Sequence, residues 1–183
     1  MVRTIISAVA ALCLSCILLS CSFAPEDTPF SGRPAEFPDM RLENTQYMLG
    51  MEGEEPIRIQ AATIELYEKA DRAYITDASF VQYGEDDVET FTGSFGAAQV
   101  ETDTNNLAME KGVFIRNHVD RFTIEAESLY WEHEKRKAFS DDETLVTITF
   151  KDHDILRGTG FHGDFSSVTF EFTQVEEGRL HYD

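Results

Sequence analysis

The side chains that could do chemistry here are five histidines, three cysteines and a large set of carboxylates. His118, His133, His153, His162 and His181 make no H-x-H or H-x-x-x-H pair, the spacings that bring two imidazoles onto one face to grip a metal. Asp152-His153-Asp154 is the densest group of candidate ligands, and in a charged segment it reads as a solvated loop. Asp141-Asp142-Glu143 and Glu85-Asp86-Asp87 follow two similar segments and read as turns. The Asp103 segment lacks the ligand spacing of a calcium loop. Gly158-Thr159-Gly160 has neither the lysine nor the following helix that a phosphate loop needs. No serine stands in a nucleophile elbow. Nothing in these types and spacings supports catalysis, and no metal or cofactor is expected.

The cysteines have a different use. Cys13 and Cys16 lie inside an apolar run from Ile5 to Leu19, which follows a short start carrying Arg3 and ends in Leu18-Leu19-Ser20-Cys21. A basic start, an apolar core and a small residue before the cut form an export signal. The ending resembles the bacterial lipobox, in which the cysteine is acylated and becomes the first mature residue. Residues 1–21 are therefore expected to be a lipoprotein-type signal peptide with Cys21 as the lipid anchor. The alternative is an uncleaved membrane helix, for which the uncharged stretch from Thr4 to Ala24 just suffices. Either way the folded domain lies outside the cytoplasmic membrane, tethered, and the inner membrane is the favoured site. Cleavage before Cys21 would leave no cysteine for a disulfide or a metal.

Residues 22–39 hold Pro25, Pro29, Pro34 and Pro38, four of the five prolines, and read as an extended spacer. The formal charge is −19, which argues against nucleic acid, whose phosphates need a basic footprint, and against a surface lying on anionic headgroups. Fourteen Phe and six Tyr mark a folded, aromatic-rich domain rather than an acidic tail.

From Met40 to the end the periodicity is two. Ile57, Ile59 and Ala61 alternate with Arg58, Gln60 and Ala62; Phe122, Ile124 and Ala126 alternate with Arg121, Thr123 and Glu125. Val146-Ile148-Phe150 and Val168-Phe170-Phe172 repeat the pattern. Such alternation predicts half-buried strands with one wet face. Turns are expected at Tyr83–Asp87, Asp103–Asn106, Glu110–Gly112, Lys151–Asp154 and Glu176–Gly178. One stretch also recurs: Ile59, Ala61, Ala73 and Asp77 return as Ile124, Ala126, Ala138 and Asp142. Each copy reads as strand, tight reversal, returning strand, a unit that cannot bury its apolar face alone. Residues 40–183 are thus expected to be an all-β domain: a sandwich, roll or barrel.

If the sheets close, the apolar faces fill a core; if they splay, they leave a trough suited to acyl chains, at roughly 0.8 kcal/mol per buried CH₂. The residues from Met40 to Tyr182 resemble the LptC family, the periplasmic component of the lipopolysaccharide export ABC transporter, and the broader OstA-like group. The likeness rests on Ile124-x-Ala126-x-x-Leu129-x-Trp131, Lys137-Ala138-Phe139, Val146-x-Ile148 and Arg157-Gly158-Thr159-Gly160-Phe161. It implies a twisted, open antiparallel β-jellyroll without enzymatic activity. Its trough would take acyl chains of lipopolysaccharide or a related glycolipid from the inner-membrane ABC transporter subunits. It would hand them to a periplasmic OstA-like bridge protein docked by edge-strand pairing along Val168–Leu180.

By that resemblance the candidate trough residues are Ile59, Ala61, Ile124, Ala126, Val146, Ile148, Phe150, Phe170 and Phe172. One departure stands out, since members of the family usually keep an N-terminal transmembrane helix where this chain has a lipobox. A second reading is a periplasmic or surface lipoprotein whose closed β-sandwich binds protein or glycan.

Overall fold

The structure, a computed structural model, describes residues 33–34, 37–50, 55–151 and 154–179. The leader with Cys21, most of the proline-rich spacer and the Asp152-His153 pair lie outside the described residues. No helix among the described residues is long and apolar enough to cross a membrane.

The described chain is almost all strand: β1 (Met40–Leu49), β2 (Ile57–Tyr67), β3 (Arg72–Tyr83), β4 (Glu89–Glu101), β5 (Leu107–Asn117), β6 (Phe122–Glu132), β7 (Lys137–Phe139), β8 (Val146–Phe150), β9 (Ile155–Asp164) and β10 (Thr169–Arg179). All pair antiparallel in sequence order, and β7 and β8 share one lane between β6 and β9. The fold is the expected all-β jellyroll, formed by ten strands of one sheet.

The alternation of inward and outward side chains breaks at one common level along β1 to β6 and β9. In β2 the inward residues Ile57, Ile59 and Ala61 give way to Ile64 and Leu66, and in β3 Ala73 and Ile75 give way to Ala78 and Phe80. In β6 Phe122 and Ile124 give way to Leu129 and Trp131. The breaks face one another across the ladders: Asn44 lies opposite Ala62, Ala62 opposite Asp77, and Asp77 opposite Gly96. Asn44 (φ 46) and Asp77 (φ 47) take the left-handed conformation, as do Lys111 (φ 64) and Gly112 (φ 82) in β5 and Gly160 (φ 62) in β9. A left-handed residue reverses the pleat and bends its strand, and Asn, Asp and Gly reach that region at least cost. Repeated in neighbouring strands, the bends make a crease.

Across the crease the sheet folds back on itself into two facing layers. The upper layer holds the strand halves ending near Tyr67, Glu101 and Glu132, and the lower layer those ending near Ile57, Asn117 and Phe122. Aromatic rings meet between them: Phe122 of the lower layer stands edge-on to Phe170 of the upper, with centroids 5.0 Å apart.

The two sequence copies sit at this crease. Ala61 pairs with Ala78 in the first, and Ala126 with Val146 in the second. Where β3 spends one left-handed residue, Asp77, the second copy spends the whole segment between β7 and β8, which contains Asp142. A hydroxyl pair bridges each copy nearby, Thr63 with Thr76 and Ser128 with Thr144 at 3.2 Å.

Two expected turns prove to be irregularities inside strands. Glu110–Gly112 is a bulge within β5, and Glu176–Gly178 lies in β10, where the register shifts between Val175 and Glu177. Bulges and turns both use glycine and charged residues, so local sequence does not separate them.

The outer face of the upper layer is covered in part. Glu65, 3% exposed, accepts Arg41 at 2.8 Å and Arg33 of the spacer at 3.3 Å. Asp39 caps the same corner, its carboxylate accepting the Glu68 N–H at 2.9 Å. Further along, burial pushes the Tyr130 phenol up to about 12, with the charges of Asp141 and Glu110 adding to the effect.

Gly160 and Gly112 test the crease. A Cβ at Gly160 would strike the side chain of Thr173, whereas one at Gly112 would meet open space. Gly160→Ala should cost about 2–4 kcal/mol, combining left-handed strain with a clash, and Gly112→Ala only about 1–2 kcal/mol. Urea unfolding midpoints of the two variants measure the difference.

Candidate functional site

Between the layers, from β1 to β6, runs a cavity of about 770 Å³. Its upper wall is built by Leu42, Ile64, Ile75 and Met109, and its lower wall by Ile59, Phe80, Phe91 and Ile115. Each of these points inward because the crease resets the alternation; with unbroken strands Ile59 and Ile64 would face opposite ways. The cavity reaches β1 at one end, where Met40 and Tyr47 line it while 41% and 45% exposed.

Polar groups are confined to the lip, where the loops opposite the crease approach each other. Asn105, His133 and Arg136 stand on the upper lip, and Tyr83, Asn117 and Asp120 on the lower. Several of them are occupied with neighbours. Asn117 donates to the Asp120 carboxylate at 2.8 Å and accepts the Asp120 N–H at 2.8 Å, and Asn106 accepts the His133 N–H at 3.1 Å. The walls offer methyl and ring surface and little to hydrogen-bond, so they suit hydrocarbon chains, while a polar head would remain at the lip.

The other end of the interior is filled. Ile124, Leu129, Val146, Ile148 and Phe161 are fully buried, and Phe122 is 2% exposed. Phe150, Phe165, Phe170 and Phe172 pack around Phe122 and Phe161 with ring centroids 5.0–6.4 Å apart. Here rings of the two layers meet directly, whereas Ile59 and Ile64 of β2 and Ile75 and Phe80 of β3 face open space.

The candidate residues therefore divide. Ile59 lines the cavity. Ala61, 3% exposed, packs in the core next to the crease. Ile124, Val146 and Ile148 lie in the closed core, and Phe150, Phe170 and Phe172 belong to the phenylalanine cluster beside it. Ala126 borders a shallow depression at the crease with Val113 and Leu145. Cys21 is outside the described residues. A sandwich filled throughout fits only the β6–β10 half. Leu42, Ile64, Ile75, Phe80 and Ile115 line the cavity with Ile59, and Ile64-x-Leu66 alternating out of phase with Ile57-x-Ile59 is the trace of this in the sequence.

Among the described residues no three His, Cys, Asp or Glu side chains gather as a metal site. Glu85-Asp86-Asp87 and Asp141-Asp142-Glu143 lie in separate connections, β3 to β4 and β7 to β8.

Comparison with known proteins agrees with this geometry. Residues 7–179 match the family described as Lipopolysaccharide-assembly, LptC-related, a span that takes in every strand. No curated protein sequence matches the chain. Seven solved chains match, among them LptH of Pseudomonas aeruginosa, described as the LptA homologous periplasmic component of the conserved lipopolysaccharide transport device. That chain is 16% identical, with a TM-score of 0.52 over 70% of this chain and 93% of its own, a likeness of fold. An apolar trough, a creased jellyroll and a family match across all ten strands converge: the chain belongs to the LptC-related family of lipopolysaccharide-assembly proteins.

Proposed function

We propose that this protein is a lipopolysaccharide transport component that holds acyl chains in the trough between β1 and β6, with the sugar and phosphate head outside the lip. The observation that carries the reading is the cavity of about 770 Å³, apolar on both walls and polar only where it opens. Each methylene buried there contributes roughly 0.8 kcal/mol, so a lipid with several chains is retained by many small contacts. None of those contacts is strong alone, so the chains can leave stepwise when a neighbouring trough offers the same surface. The step is physical transfer, with no bond made or broken, and the protein is not an enzyme in this reading.

The trough's own residues in this proposal are Ile59, Leu42, Ile64, Ile75, Phe80 and Ile115. The other candidates, Ala61, Ile124, Ala126, Val146, Ile148, Phe150, Phe170 and Phe172, act as the packed floor and end wall. Among the described residues the sheet order leaves β1 and β10 with one unpaired edge each. An exposed edge accepts another chain by backbone pairing. The β1 edge, where the cavity emerges, receives lipid from the inner-membrane ABC transporter. The β10 edge docks the next jellyroll of a periplasmic bridge. The leader tethers the domain to the membrane through acylated Cys21, with the proline-rich spacer holding it away from the bilayer. Arg33 on Glu65 fastens the spacer to the upper layer beside β1.

Photocrosslinking in cells tests the reading. A photoreactive residue at Ile59 should give a lipopolysaccharide adduct at least tenfold above one at Gln60, its exposed neighbour on the wet face. Equal labelling at the two positions, or none at Ile59 in a folded, exported protein, would contradict it.

A further inference from the structure

The upper layer is buried on both of its faces. Glu65, Tyr74, Gln99, Ala108 and Tyr130 pair one to the next across β2 to β6 and form a row on the face turned away from the cavity. In a sheet folded into two layers that face is ordinarily wet. None of these residues is more than 8% exposed. The matching row of the lower layer, on the same strands, is Gln60, Ser79, Ser94, Phe114 and Glu125, and all but Phe114 are exposed. Both rows occupy the same lanes and both face outward, so neither lane nor facing explains the difference. A cover on the upper face does.

The chemistry of the row indicates what the cover is. Rings dominate it: Tyr67 stands edge-on to Tyr74, with centroids 5.5 Å apart, and Tyr130 stacks on Phe139 at 5.1 Å. Between these pairs the Gln99 side-chain oxygen is buried with no hydrogen-bond donor among the described residues. A buried acceptor of this kind calls for a donor, and an extended chain has N–H groups to give. Proline-rich segments dock on aromatic surface, because their extended helix makes no internal hydrogen bonds and is already ordered. The spacer is such a segment, and it enters this face at Arg33, 3.3 Å from Glu65 at the start of the row. Residues 22–32 before it carry Phe23, Pro25, Pro29 and Phe30. Extended, they reach about 34 Å at roughly 3.1 Å per residue. The row from β2 to β6 spans only about 20 Å at ~4.8 Å per strand. Attachment beside the row also gives the spacer a local concentration of millimolar order, an advantage over any diffusing peptide.

We propose that the outer face of the upper layer is the docking site of the chain's own proline-rich spacer, residues 22–32, laid across the row from Glu65 toward Tyr130. The rings take its prolines and Phe30, and Gln99 accepts one of its N–H groups. Docking makes the upper layer the side from which the tether leaves the domain. It is independent of the acyl-chain reading, since it uses the face opposite the cavity wall.

The experiment places a photoreactive phenylalanine at position 30 of the full chain in cells and maps its adducts by mass spectrometry. Adducts should fall within the same chain, on the strand segments around Tyr74, Gln99 and Tyr130. Ala108→Arg, which raises a charged side chain in the middle of the row, should reduce them at least fivefold. Ser94→Arg, in the matching lower row, should leave them unchanged. Arg33→Ala changes a half-exposed side chain outside the sheet, so it keeps the fold intact, and should reduce them at least twofold. Adducts chiefly to another protein, or none on the row in a folded, exported protein, would overturn the dock. So would adducts on the row that Arg33→Ala and a folded Ala108→Arg both leave undiminished.

Discussion

The structure depends on one backbone constraint: each strand must bend at the same level without turning its apolar face outward. A flat sheet with one apolar face would need a second sheet to cover it. Here the sheet covers itself, and left-handed residues at Asn44, Asp77, Lys111, Gly112 and Gly160 let the strands reverse pleat at the fold line. The reversal is what keeps Ile59 and Ile64, five positions apart on one strand, on the same interior. Without it half of each strand's apolar side chains would face water.

Given that scaffold, the interior divides into a packed end and an open one. Over β6–β10 the facing positions carry phenylalanine and branched aliphatics, and the layers close on them with Ile124, Val146, Ile148 and Phe161 fully buried. Over β1–β5 the walls combine Ile, Leu and Met with Phe80, Phe91 and Phe95, and a cavity remains between the layers. One folded sheet is thus a hydrophobic core at one end, supplying stability, and a hydrophobic compartment at the other. The net charge of −19 favours solubility.

This division explains what was legible in the sequence. Period-two alternation around Ile124, Val146 and Ile148 gives the strands and their inward faces, because alternation is a local property. The location of empty space is not local, since it depends on which residue of the other layer stands opposite, and that is set by the crease. The crease did leave traces. Asn44 and Asp77 interrupt strand patterns, and Ile64 and Leu66 change phase relative to Ile57 and Ile59. Lys111-Gly112 left one too, yet it reads equally well as a hairpin turn. The two copied segments were visible for a related reason, as both β2–β3 and β6–β8 must cross the same fold line.

The central claim is that the β1–β6 half is an occupied compartment rather than a void. Native mass spectrometry of the full chain, extracted from its own cells in mild detergent, tests it most directly. The account predicts a glycolipid mass bound to the wild-type protein. It predicts that mass absent from Leu42→Glu, which puts a charge on the trough wall, and retained by Gln60→Glu on the exposed face. A wild-type protein that carries no lipid, or a Leu42→Glu variant that carries as much as Gln60→Glu, would contradict it.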